Sequence, residues 1–230
     1  MLPFFFFDWT MILLLPAMAL ALYAQTKVKR AYTKYSHVGS AAGLTGAETA
    51  RRLLRQNGIV DVAVEEVGGK LSDHYDPRAR VVRLSSGIFH GSHLAGLAVA
   101  AHEVGHAVQH ASGYFALNMR HTFLPVARIG SWAAFPLFFI GFFFQSPQMI
   151  DIGILLYAAV VGFQLITLPV EFNASSRAMA LLVDGRYLQA SEAADAKKVL
   201  NAAALTYVAA TATAVMQLVR LLILRQGMRD

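Results

Sequence analysis

Long apolar runs alternate with polar segments along this chain, and the first run extends from Leu2 to Ala24. About 20 apolar residues are needed for a helix to cross a hydrocarbon core, so this run is long enough to span a membrane. Asp8 and Pro16 are the interruptions in it. Basic residues follow the run and none precedes it. This pattern favours an uncleaved transmembrane anchor over a cleaved signal peptide.

Two further apolar runs, 129–144 and 152–170, are separated by a short polar turn at 145–148. The pattern predicts a membrane hairpin, in which the first run has 16 residues. As a helix it is roughly 24 Å long, so its flanks help it to span. A fourth run, 202–224, is rich in alanine and threonine and contains Arg220. We predict a fourth span there, with a helix packed on the polar domain as the alternative.

The segment between the anchor and the hairpin has the mixed composition of a globular domain. Thr45 and Glu48 have the spacing of a capping box, which predicts a helix that ends at Asn57-Gly58. Val60 to Val67 and Arg80 to Leu84 have the composition of strands. The second strand has two interpretations: an edge that pairs with an extended substrate, or a structural edge strand.

The segment from Leu71 to Pro77 is polar and ends in a proline turn. His74 and Tyr75 in this loop have two interpretations, as residues that line an active site or as part of ordinary turn chemistry. His93 and His110 lie outside the motif described next, and we predict that both are surface histidines.

A charged motif, His102-Glu103-Val104-Gly105-His106, follows the unbroken apolar stretch 94–101. At four-residue spacing, two imidazoles lie on one face of a helix and bind one zinc ion. Glu103 then lies beside the metal, where a carboxylate acts as a general base. The alternative is a helix that carries the two histidines by chance.

Composition restricts the third ligand of such a zinc ion. The chain has no cysteine, so thiolate ligands and disulfides are excluded. Catalytic zinc takes three protein ligands, and Glu171 directly follows the predicted hairpin. Two crossings return the chain to the side of the zinc helix, which makes Glu171 the candidate ligand. An interfacial carboxylate is the alternative.

The net charge of +6 does not predict a nucleic-acid partner, because no basic segment interleaved with aromatic residues is present. Basic residues instead flank the predicted spans. The turn at 145–148 has none, which predicts that the opposite, zinc-helix side faces the cytoplasm. Arg225 and Arg229 would oppose this orientation if the fourth run spans.

Segments 102–106, 73–77, 82–85 and 169–175 resemble the YugP-type bacterial membrane zinc metallopeptidases, and the likeness covers most of residues 30–210. The HtpX-type membrane proteases are more distantly similar; in them a His-Glu-x-x-His helix and a Glu-x-x-x-Asp helix supply the metal site. The resemblance implies that His102, His106 and Glu171 are ligands and that Glu103 is the base. Ser175 occupies the position of the HtpX-type aspartate, so the acid that would orient a histidine is missing from that place.

These patterns predict a mainly α polytopic membrane protein with a small β element and a zincin-like helix. The predicted segments are an anchor (1–24), a catalytic domain (25–124), a membrane hairpin (125–170), a second ligand helix with a charged segment (171–201), and a fourth span with a tail (202–230).

The predicted function is that of a zinc-dependent endopeptidase in the cell membrane. It would hydrolyse membrane or membrane-proximal proteins at an active site that faces the cytoplasm. The predicted partners are a protein or peptide substrate and the lipid bilayer. Other membrane proteins are candidate partners. A non-catalytic membrane scaffold that retains a structural zinc is the alternative function.

Overall fold

The computed structural model describes residues 8–227, which are mostly helical with one small sheet. Residues 2–7 of the predicted anchor and Arg229 lie outside the described residues. The elements in chain order are a 3-10 turn (Trp9–Leu13), α1 (Leu14–Tyr35), α2 (Gly46–Gln56), β1 (Ala63–Val67), β2 (His74–Asp76), β3 (Val81–Ser85), α3 (Ser86–Phe89), α4 (Leu94–Ala111), α5 (Phe115–Phe143), α6 (Pro147–Asp184) and α7 (Ala190–Gln226).

The chain divides into two compact units. The apolar unit consists of residues 8–24, 119–168 and 206–227 of the described chain, and the mixed unit consists of residues 25–118 and 169–205. Each of the four long helices α1, α5, α6 and α7 contributes residues to both units.

Four helical segments are long and apolar enough to cross a membrane: Trp9–Tyr35, Phe115–Phe143, Pro147–Asp184 and Ala190–Gln226. In the apolar unit three of them, α5, α6 and α7, form a small core around Phe138, with Ile150, Ile154 and Leu221 against it. Many large side chains of these segments are exposed. Trp132, for example, is 81% exposed, as expected for a surface that lipid covers. The predicted hairpin and fourth span are therefore present as candidate spans, and their helices extend beyond the apolar runs.

The arginine that interrupts the fourth apolar run has an acidic partner within the apolar unit. Arg220 Nη2 lies 2.7 Å from Asp8 Oδ2, and each side chain is 12% exposed. Arg220 Nε also donates to Thr10 Oγ1 at 3.1 Å. Near the hairpin turn, Arg225 donates to Asp151 at 2.7 Å. These ion pairs explain how α7 carries two arginines and remains packed in an apolar unit.

The sheet of the mixed unit has the order β1-β3-β2, in which β1 is parallel and β2 antiparallel to β3. The prediction that the strand at Arg80–Leu84 lies at an edge is wrong. It occupies residues 81–85, lies in the centre of the sheet, and has no free edge for a substrate. The reason is that His74–Asp76, predicted as a loop, pairs with it as β2. The other predicted strand begins at Ala63 and not at Val60.

The capping box at the start of α2 is confirmed. Thr45 Oγ1 accepts a hydrogen bond from Glu48 N, and Glu48 Oε2 accepts one from Thr45 N. Leu53 and Leu54 on the inner face of α2 are buried in the same core as Leu97 of α4. Burial of these leucines fixes α4 within the mixed unit.

We expect Arg220→Met to lower the free energy of unfolding by about 3 kcal/mol, because it leaves the Asp8 carboxylate without its cation in a nearly enclosed position. Thermal unfolding in detergent measures the change. The double variant Asp8→Asn/Arg220→Met should recover part of the loss. Lys198→Met, which breaks a pair whose lysine is 63% exposed, is the control and should leave the unfolding temperature unchanged. Equal effects at both sites would contradict the prediction.

Candidate metal centre

The helix that carries the histidines, α4, begins with a side-chain cap. His93 is its N-cap residue, and Nδ1 of its ring accepts a hydrogen bond from Gly96 N at 2.9 Å. The following residues, from Leu94 to Ala98, are fully buried. The helix therefore passes through the core before it reaches the motif, so His102 and His106 are held on a rigid element.

Glu171 of α6 meets the two imidazoles of α4. Its Oε2 atom lies 3.3 Å from His102 Nε2 and 3.5 Å from His106 Nε2. The potential ligand atoms of the three residues all lie within 4.8 Å of one another. Three side chains from two helices are thus positioned to bind one metal ion.

These distances agree with the geometry of zinc. Ligand atoms at about 2.1 Å from a tetrahedral zinc ion are about 3.4 Å from one another. The separations between the carboxylate and the imidazoles match this value. Two neutral imidazoles and one carboxylate are also a ligand set found in catalytic zinc sites, where the fourth position is left open.

The second nitrogen of each imidazole has a hydrogen-bond partner. His102 Nδ1 lies 3.2 Å from Ser175 Oγ, and His106 Nδ1 lies 3.0 Å from Gln109 Oε1. Such contacts orient the ring and direct Nε2 at the metal. The missing acid at position 175 therefore does not leave His102 without an orienting group, because the serine hydroxyl contacts the same nitrogen.

Glu103 lies on α4 directly after His102 and is only 7% exposed. Burial raises the pKa of Glu103 above the usual range of a carboxyl group, and the nearby His102 and His106 act in the opposite direction. A buried carboxyl group in this position is suited to accept a proton from a water molecule at the metal and then release it.

A glycine in the motif permits the two ligand helices to approach closely. A Cβ atom added at Gly105 would lie 2.6 Å from the backbone oxygen of Ala174 and 3.2 Å from its carbonyl carbon. Glu171 and Ser175 flank Ala174 on the same face of α6, three residues before it and one after it. The contact between Gly105 and Ala174 therefore determines how near the α6 side chains come to the histidines.

The other polar residues singled out in the sequence lie outside this cluster. His74 is exposed, and its Nδ1 lies 2.8 Å from Ser72 O. The Tyr75 hydroxyl of β2 lies 2.8 Å from His110 Nδ1 of α4. Both side chains are partly buried. His93 and His110, both predicted at the surface, are each partly buried, His93 as the cap of α4.

Sequence reasoning did not identify Gln109 or the role of Gly105. Gln109 is fully buried three residues after His106, on the metal-facing side of α4. A glutamine within an apolar helix face was the available signal, since a buried amide needs partners for all of its hydrogen-bonding groups. The partner residues on α6 are more than 60 positions away, so the sequence could not indicate them.

We expect Gly105→Ala to lower zinc affinity by at least tenfold and to destabilise the protein, because the added methyl group collides with backbone atoms that cannot rotate away. Isothermal titration with zinc and thermal unfolding measure the two effects. The matched control is Gly162→Ala on α6, where an added Cβ meets nothing within 4 Å. It should leave zinc binding unchanged and be neutral or slightly stabilising. Normal zinc affinity in the Gly105 variant would show that the close approach is unnecessary.

Comparison with known proteins agrees with this geometry. Residues 10–226 match the family described as "Putative neutral zinc metallopeptidase". The chain is also 49% identical over 218 residues to "Putative membrane protease YugP" of Bacillus subtilis (strain 168), a match that covers 95% of this chain and 97% of the relative. No solved structure matches the chain. The resemblance to YugP-type proteins is thereby confirmed, and the chain belongs to this family of zinc metallopeptidases.

Proposed function

We propose that the protein is a zinc-dependent endopeptidase of the cell membrane, in which His102, His106 and Glu171 hold the metal and Glu103 is the general base. The observation that carries the proposal is the arrangement of Glu103. Glu103 is a buried carboxyl group on the helix that supplies both imidazoles, those of His102 and His106. The third side chain of the group, Glu171, comes from a different helix.

The proposed reaction is amide hydrolysis. A zinc ion held by the three side chains would polarise the scissile carbonyl and acidify the attacking water. Glu103 accepts a proton from that water as the new C–O bond forms. It then delivers the proton to the amine nitrogen as the C–N bond breaks. Ser175 and Gln109 hold the two imidazoles in place during the reaction.

The membrane location supports substrates that are membrane or membrane-proximal proteins. Glu171 directly follows the apolar run 152–170. A peptide bond that reaches the metal would therefore be cleaved close to the bilayer surface.

The distribution of basic residues supports an active site on the cytoplasmic side. Lys27, Lys29, Arg30 and Lys34 follow the first apolar run, and Arg120 and Arg128 precede the apolar run 129–144. On the other side, the turn at 145–148 has no basic residue. Arg225 and Arg229 oppose this orientation if the fourth run spans, but the six basic residues on the metal-centre side outnumber them.

We expect Glu103→Gln to abolish peptide cleavage while zinc binding is retained, because the amide cannot accept the proton of the attacking water. Glu171→Gln should instead lower zinc affinity by tenfold or more, because a neutral amide oxygen is a weaker ligand than a carboxylate. Zinc content and cleavage of a membrane-protein substrate in detergent are measured together. Glu65→Gln, at a carboxylate that is 55% exposed, is the control and should change neither quantity.

Three results would contradict parts of this proposal. Cleavage by the Glu103 variant at the wild-type rate would exclude Glu103 as the base. Full zinc occupancy in the Glu171 variant would exclude Glu171 as a ligand. A wild-type protein that binds zinc but cleaves no peptide, while the Glu103 variant retains its cellular phenotype, would support the scaffold alternative.

The orientation can be tested with single cysteines, since the natural chain has none. We expect Gln148→Cys, in an exposed position of the turn at 145–148, to react with a membrane-impermeant maleimide in intact cells. Ser112→Cys, exposed at the end of α4, should react only after the cells are lysed. The opposite pattern would place the metal centre on the outer side of the membrane.

A further inference from the structure

We infer that Gln109 is a positioning residue that fixes the tautomer of His106 and joins this imidazole to the helix turn that carries Glu171. The inference rests on the metal site of the proposed function and does not depend on the reaction that occurs there. The buried amide of Gln109 has a hydrogen-bond partner for its oxygen and two for its nitrogen.

Both hydrogens of the Gln109 amide nitrogen are used. Nε2 lies 2.8 Å from the backbone oxygen of Val170 and 2.9 Å from Asn173 Oδ1. Backbone and amide oxygens only accept hydrogen bonds. Asn173 Oδ1 also accepts one from Arg177 Nε at 2.8 Å, which identifies this atom as the oxygen of the Asn173 amide. A reversed amide would bring its oxygen against two acceptors in a fully buried position. The amide nitrogen must therefore face α6.

The orientation of the amide then determines the protonation of His106. Gln109 Oε1 faces His106 Nδ1 at 3.0 Å, and an amide oxygen can only accept. Nδ1 must therefore carry the hydrogen and donate it. In a neutral imidazole this leaves the lone pair on Nε2, the atom that lies 3.5 Å from Glu171 Oε2. His106 is thus held in the tautomer that can bind a metal.

His102 does not have an equivalent constraint. Its Nδ1 contacts the Ser175 hydroxyl at 3.2 Å, and a hydroxyl can either donate or accept. The serine orients this ring but does not select a tautomer. Of the two histidines, His106 is therefore the one whose hydrogen-bond partner selects the donor nitrogen.

The same amide also determines where Glu171 lies. The Val170 carbonyl that accepts from Gln109 belongs to the residue directly before Glu171, and Asn173 is two residues after it. One side chain of α4 thus contacts α6 on both sides of the ligand. An imidazole ligand and a carboxylate ligand from different helices share Gln109 as their common support.

We expect Gln109→Leu to release the tautomer and to weaken metal binding. In full-length metal-free protein labelled with ¹⁵N-histidine and held in detergent, wild-type His106 should show the proton on Nδ1. A leucine side chain accepts no hydrogen bond, so the variant should show a substantial population with the proton on Nε2. Its zinc dissociation constant should rise about 10- to 100-fold. If Gln109→Leu does not fold, Gln109→Met, which is apolar and flexible, allows the same measurements.

Two further variants separate positioning from stability. Gln109→Glu still presents an acceptor to His106, so the Nδ1 proton should be retained, although the donors to Val170 and Asn173 are lost. Thr49→Val removes a buried hydrogen bond to Thr45 O in the same unit and does not touch the metal-facing residues. It should lower the free energy of unfolding without changing the zinc dissociation constant.

The inference is overturned if Gln109→Leu keeps the Nδ1 tautomer, or if its zinc affinity changes no more than that of Thr49→Val. A Gln109→Glu variant that loses the Nδ1 tautomer would overturn it as well. None of these measurements uses peptide cleavage. A wild-type protein with the Nδ1 tautomer that hydrolyses no peptide would therefore refute the proposed function and leave the role of Gln109 intact.

Discussion

The candidate metal centre depends on the close approach of two backbones at Gly105 and Ala174. An α-helix with side chains is about 10 Å in diameter, so two helices with large residues between them could not place a short carboxylate against two imidazoles. At Gly105 nothing separates the α4 backbone from the carbonyl of Ala174. Glu171, Ser175 and the acceptors of Gln109 all belong to the turns of α6 around this contact. A single missing side chain thus brings metal-facing and orienting groups together.

Signals within a short stretch of sequence were sufficient for much of this structure. The capping box at Thr45, the helix through His102 and His106, and the apolar runs of the candidate spans are each encoded by neighbouring residues. The sequence could predict that Glu171 lies near the histidines, because an even number of crossings restricts where the chain returns, although 65 residues separate it from His106. It could not predict that β3 is the central strand, because β2 has only three residues and no alternating pattern to reveal it. Gln109 was missed for a related reason, since its partners lie on another helix.

Gln109, which orients His106, is fully buried among apolar residues of the mixed unit and makes several hydrogen bonds. Gln109 contacts three groups, and Asn173 links it to Arg177. A buried polar network of this kind stabilises one arrangement and penalises alternatives, because any other rotamer leaves a buried donor or acceptor without a partner. The ligand geometry is therefore defined before a metal ion arrives, and the entropy cost of arranging the ligands is met during folding.

The pair between Asp8 and Arg220 has a consequence for the synthesis of the protein. The two residues are 212 positions apart: Asp8 lies directly before the first candidate span, and Arg220 lies in the last one. A nascent chain exposes Asp8 to the membrane long before Arg220 has been made, so the aspartate spends most of translation without this cation. Only a chain that includes Arg220 supplies this cation. A product truncated before Arg220 keeps the Asp8 carboxylate without it, in a position that an unpaired charge occupies only at a cost.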